Sequence, residues 1–226
     1  SRTRRRPLPQ GKVSRNQALI WGLFLGFLGI GLLLVYVNLL TAGLTFSSLI
    51  GYAVFYTMYL KRATPQNIVI GGAAGAAPPI LGWTSVAGLQ GIEYALLLFL
   101  IVFIWTPPHF WALAIHRHEE YKKAEVPMLP VTHGLQFTRV QILLYTVLLF
   151  IVTLLPYLTG MSGIIYLVSA VMLGVLFLGY AVKIYREPEN PKIAFKTFKY
   201  SVNYLMVLFV SLLVDHYLLI TFGTIY

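Results

Sequence analysis

WTPPHFWALAIHRHEEYKKAEVPMLPVTHG, residues 105–134, begins inside an apolar run and ends in a polar loop, and that passage decides what kind of molecule this is. It holds four of the chain's five histidines and three of its seven acids. Lipid solubility explains Trp105, Phe110 and Trp111; it does not explain Glu119, Glu120 and Glu125 set beside Arg117, Lys122 and Lys123. Any chemistry the chain performs is expected at this exit from the membrane.

The remaining composition supports a membrane reading. Of 226 residues, 58% are hydrophobic and 11% charged, whereas a soluble domain carries about 25% charged residues. The net charge of +10 is not a nucleic-acid signature, because the cations cluster between apolar runs rather than along a tail or one face. With no cysteine, disulfides, thiolate zinc sites and a cysteine nucleophile are excluded. The basic first fifteen residues precede no short apolar core with a small-residue cleavage site, so they are not a signal peptide. An opening Ser1 without an initiator Met reads as a cut.

A spanning helix needs about 20 mostly apolar residues. Seven runs qualify or nearly so: 16–37, 44–60, 67–84, 92–115, 138–158, 163–185 and 197–222. Ser14 followed by Gln17 predicts a capping box at the first start. The cations then sort by the bias that keeps Lys and Arg cytoplasmic. Six precede the first run, two follow the second, four follow the fourth and five lie between the sixth and seventh. With alternating spans all seventeen fall on one face, and the connections near Thr41, Val86 and Thr159 carry none.

Each motif has a plain reading beside a chemical one. RTRRRPLPQG is a juxtamembrane cluster that attracts anionic lipid, or a set of guanidiniums that bind phosphate bidentately. Lys61 and Arg62 close the second run as snorkelling cations, or join a phosphate site. Gly71, Gly75 and Ala76 have the spacing of close helix packing, while Pro78-Pro79 frees backbone carbonyls and predicts a widened pocket. His109, in an apolar run, is expected to face the bundle interior. His116, His118 and Glu120 match no zinc-protease spacing. The three glutamates are a solvated loop, or carboxylates for Mg²⁺. Asp215 with His216 lies at the opposite face and is read as structural.

In order, RTRRRPLPQGKVS, YTMYLKRATPQNIVIGGAAGAAPPILGW, WTPPHFWALAIHRHEEY and VPMLPVTHG resemble the haem O synthase (protohaem IX farnesyltransferase) family of UbiA-type intramembrane prenyltransferases. The resemblance implies an all-α bundle of nine transmembrane helices around a central cavity, with two acidic motifs at its mouth. The seven runs correspond to helices three to nine, so residues 1–226 are expected to be a single domain without the first two helices or the first acidic motif. The second motif is present with a departure: the usual Asp before Tyr121 is Glu120.

The activity implied is transfer of farnesyl from farnesyl diphosphate to a vinyl group of haem B, releasing diphosphate and leaving a hydroxyl. A related transfer of a polyprenyl chain to an aromatic acid or quinone precursor is the alternative. The resemblance places catalysis on Glu120, Lys61 and Arg62, diphosphate on Arg2, Arg6, Lys61 and Arg117, and Mg²⁺ on Glu120 and Glu119. It places haem or the prenyl chain against His109, Tyr56, Asn67, Trp105 and Phe110. The expected setting is a bacterial or mitochondrial inner membrane with the site on the cytoplasmic or matrix side. Lacking the other carboxylate cluster, the 226 residues alone are expected to turn over little or not at all.

Overall fold

The computed structural model describes residues 6–60 and 63–222. The first span, α1 (Arg15–Tyr36), starts with the expected box: Ser14 Oγ accepts from Gln17 N at 3.2 Å, and Gln17 Oε1 accepts from Ser14 N at 2.9 Å. Next, α2 (Leu39–Ile50) is capped by Asn38, whose Oδ1 accepts from Thr41 N at 2.8 Å. It runs without interruption into a π-helical segment, Gly51–Leu60. The wider winding shows in Thr57 Oγ1, which donates to Tyr52 O five residues back at 2.8 Å.

The third apolar run is not one helix. It divides into α3 (Asn67–Gly75) and α4 (Pro78–Ala87), neither long enough alone to cross a membrane. Pro78 and Pro79 have no N–H for the carbonyls of Ala74 and Gly75. The preceding Gly and Ala residues supply little side-chain packing to hold the helix together, so the ladder tightens to Ala77 N→Ala74 O and stops. Six helices, not seven, are long and apolar enough to span among the described residues.

By contrast, α5 (Ile92–His116) continues through Pro107-Pro108. It is the central helix, packed against α3, α4 and two later spans, and tertiary burial holds what the ladder loses there. Two short helices follow, α6 (His118–Lys123) and α7 (Leu129–Thr132), then α8 (Gly134–Val152), a turn α9 (Leu155–Leu158), α10 (Ile164–Arg186) and α11 (Pro191–Phe222). The fifth and seventh runs start earlier than their apolar stretches suggest, because polar first turns at Gly134 and Pro191 are helical above the hydrocarbon.

Cross-chain contacts fix the alternation. At one face Asn38 Nδ2 donates to Thr84 O at 2.9 Å, tying the α1–α2 turn to α4. At the same face Asp215, 2% exposed, accepts from the amides of Gly163, Ile165 and Tyr166 and so caps α10. Its structural reading holds: the carboxylate satisfies amides that a helix start leaves bare, where the helix dipole favours negative charge. At the opposite, basic face, Arg139 (9% exposed) donates to Pro188 O at 2.8 Å and clasps the α10–α11 loop to α8.

Two stacked cores fill α5, α8, α10 and α11. Trp111, Ile142, Ala181 and Ala194 belong to the core nearer the basic face, and Ile101, Leu149, Phe177 and Tyr204 to the other. The second half of the chain is thus a four-helix bundle. Gly72 docks the first half onto it, since an added Cβ would stand 3.0 Å from Thr106 Cγ2. Of the expected small-residue set, Gly71 makes a close approach, to Tyr56, and Ala76 is fully buried, while Gly75 opens on empty space; Gly72 lies outside that set.

Candidate functional site

The seam between α5 and α11 is built from residues 92 and 96 positions apart. Trp105 Nε1 donates to Ser201 O at 2.9 Å, and one turn on His109 Nδ1 meets Ser201 Oγ at 2.6 Å. His109 is 7% exposed, as its position in an apolar run requires. Its ring stacks on Trp105 with centroids 4.2 Å apart, leans on Phe198 at 4.6 Å, and meets Phe110 edge-on at 4.9 Å.

The tautomer follows from counting protons. Ser201 has one hydroxyl hydrogen, and its Oγ lies 2.7 Å from Phe198 O, which only accepts. Nδ1 of His109 therefore carries the hydrogen of the 2.6 Å contact. Nε2 is left with a lone pair: it can ligate a metal or accept, but it cannot donate.

Trp105 also ends an apolar cleft of about 410 Å³ lined by Gly75, Pro78, Pro79, Val202 and Phe209. The widened pocket expected of Pro78-Pro79 is there, at the break between α3 and α4. Phe209 is shared with a larger apolar cleft of about 770 Å³ at the far face, which Trp83, Met161 and His216 line. A third hollow of about 380 Å³ lies between the π-helical segment and α3. Tyr56 lines it, its ring seated against Gly71 so closely that a Cβ there would overlap.

The remaining expected residues distribute as follows. Asn67 is 1% exposed at the start of α3. Tyr56 is half-buried and stacks on Tyr52, with ring centroids 5.2 Å apart. Phe110, at 38% exposed, turns away from the core. Arg6 is exposed in a turn before α1, where Gln10 N donates to its carbonyl at 3.2 Å. Arg117 and Glu120 pair at 3.8 Å on the surface, an arrangement that contributes about 0–1 kcal/mol. Glu119 is exposed beside His118 at 3.9 Å. Arg2, Lys61 and Arg62 lie outside the described residues.

Among the described residues no three His, Cys, Asp or Glu side chains converge to cage a metal. Mg²⁺ asks less than a cage, since it keeps several waters and takes one or two carboxylates plus substrate phosphates. Exposed Glu120 and Glu119 match that donor chemistry.

Sequence reasoning missed Ser201, Phe195, Phe198, Lys199 and Arg139. A serine inside the last span was a readable signal, because polar groups there seek partners. Phe195, Phe198 and Lys199 also share one helical face by their spacing.

A membrane bundle of this topology has a solved counterpart. A structure from work on digeranylgeranylglyceryl phosphate synthase in membranes superposes with a TM-score of 0.80 over 94% of this chain and 75% of that one, at 23% sequence identity. The fold is shared. Residues 1–213 match the UbiA prenyltransferase family, and the chain belongs to that family. A protoheme IX farnesyltransferase of Ruthia magnifica is 74% identical over 220 residues, which are 97% of this chain and 74% of the relative. The protoheme IX farnesyltransferases of Alcanivorax borkumensis and Methylococcus capsulatus are 60% and 57% identical, each over 97% of this chain and 72% and 73% of their own.

Proposed function

We propose that this chain transfers the farnesyl group of farnesyl diphosphate to a vinyl group of haem B, giving haem O and diphosphate. The observation that carries the reading is 74% identity to a protoheme IX farnesyltransferase across 97% of the chain. The vinyl π pair bonds to C1 of farnesyl as the C1–O bond to diphosphate breaks. The cation left beside the porphyrin takes one water and loses a proton, which leaves the hydroxyl.

This chain's residues have separable tasks in that scheme. Arg6 and Arg117, with Arg2, Lys61 and Arg62, neutralise the diphosphate at the basic face, where bidentate guanidiniums suit phosphate oxygens. Mg²⁺ held by Glu120 and Glu119 would supply the charge neutralisation that makes diphosphate a competent leaving group. Trp105 and Tyr56, each lining an apolar hollow, would offer aromatic rings to an allylic chain on which positive charge develops. The apolar cleft at Pro78-Pro79 keeps water from that carbon until the bond to haem has formed. Nε2 of His109, with its lone pair free, suits the haem iron rather than a propionate.

The setting proposed is a bacterial inner membrane, as in the bacterial relatives, with the basic face cytoplasmic. The test is haem O formation in membranes from farnesyl diphosphate and haem B. Glu120→Gln is expected to lower kcat by about 100-fold or more. Turnover of an aromatic acid in place of haem, or full activity of Glu120→Gln, would remove the assignment.

A further inference from the structure

Above His109 the α5–α11 seam continues as a ladder of rings toward the basic face. Phe198 stands 4.6 Å from His109 and 6.1 Å from Phe195, and Phe195 stacks on His116 at 4.6 Å. Lys199 Nζ closes it, 4.7 Å from the centre of the Phe195 ring. Only Phe198 of the ladder packs against the core: Phe195 and Phe198 are half-buried, and His116 and Lys199 exposed. Among the described residues the ion pairs are Arg117 with Glu120 and His118 with Glu119, so no described carboxylate pairs with Lys199. Lys192, Lys196, Lys183 and Arg186 stand on the same face of the membrane, which adds positive potential.

We propose that Phe195, Phe198, His116 and Lys199 seat the carboxylate end of the acceptor. The strip takes the flat edge region of the tetrapyrrole, and Lys199 and the His116 imidazole bind its propionates at the membrane face. The inference rests on haem being the acceptor and deepens that reading. Phe195 lies six residues from Ser201, which is ~9 Å of helix rise toward the basic face. That is the scale of the step from a porphyrin's centre to its propionate edge. Iron at His109 and propionates at Lys199 thus fit one pose, with the vinyl edge pointing down toward Trp105 and the apolar cleft.

A cation over an aromatic face, with no described carboxylate in ion-pair distance, can take the carboxylate of a ligand. The propionates supply the missing charge, and their fixed spacing from the ring would set the register of the vinyl group against farnesyl C1. Lys199 and His116 are positioning residues here, since neither touches the reacting atoms.

The experiment compares haem B with its dimethyl ester, whose propionates carry no charge, at saturating farnesyl diphosphate in membranes. Lys199→Met is expected to raise KM for haem B about fivefold, while KM for farnesyl diphosphate holds. Lys199→Arg restores the haem KM. With the dimethyl ester, the Met variant and the parent enzyme become equal. Phe195→Leu is expected to raise KM for acid and ester alike. An unchanged haem KM in Lys199→Met, or a loss that persists with the ester, overturns the proposal. The assays use the enzyme at its full natural length; if that parent enzyme makes no product from haem at all, the functional reading fails, and this inference goes with it.

Discussion

At the scale of single residues, the Ser201 hydroxyl decides what His109 can do. It orients the ring and holds the hydrogen on Nδ1, the familiar way a second group fixes which nitrogen is available. Ser201→Ala removes that control while leaving the stacked ring in place. Haem turnover should fall about tenfold in Ser201→Ala and recover in Ser201→Thr, which keeps the hydroxyl. His109→Ala should abolish the change in the haem absorption band that binding produces, yet leave farnesyl diphosphate binding intact. A normal band with His109→Ala would remove iron ligation from its role. His109 was legible as an imidazole stranded among apolar residues. Its pairing with Ser201 was not, because nothing local connects positions 92 residues apart.

At the scale of elements, the two proline pairs show why sequence pattern alone underdetermines a span. Both pairs delete N–H groups in the same way; only the neighbours differ. Pro107-Pro108 sits in a helix buried on several sides, and Pro78-Pro79 follows small residues that pack little, so one helix survives and the other breaks. The π-helical segment had no readable sign in GYAVFYTMYL, since its apolar residues suit either winding. Asp215 was legible as an anomaly, and its geometry makes a prediction about α10. Asp215→Asn leaves three amides facing a neutral group, with an expected loss of about 1–3 kcal/mol. Thermal melts in detergent should show a lower midpoint, and KM for haem in membranes should stay put. A shifted haem KM would place Asp215 in the site instead.

At the scale of the whole molecule, the distribution of Lys and Arg made the topology readable before any contact was known, and the Asn38–Thr84, Asp215–Gly163 and Arg139–Pro188 pairings agree with it. The absence of cysteine makes the arrangement testable residue by residue. Single cysteines at Lys12, Lys123 and Glu189 should react with an impermeant maleimide from one side of the membrane, and cysteines at Leu89 and Thr159 from the other. Labelling of Lys123→Cys and Leu89→Cys from the same side would break the alternation of spans. Burial, unlike topology, is unevenly shared: α1 buries none of its residues, while α11 is fastened near the basic face through the Arg139 clasp, midway at Ser201 and at the far face by Asp215. A wall held at three heights does not swing, so a product as bulky as haem O has to leave without displacing α11. Amide hydrogen exchange should accordingly stay slow along α5 and α11 during turnover.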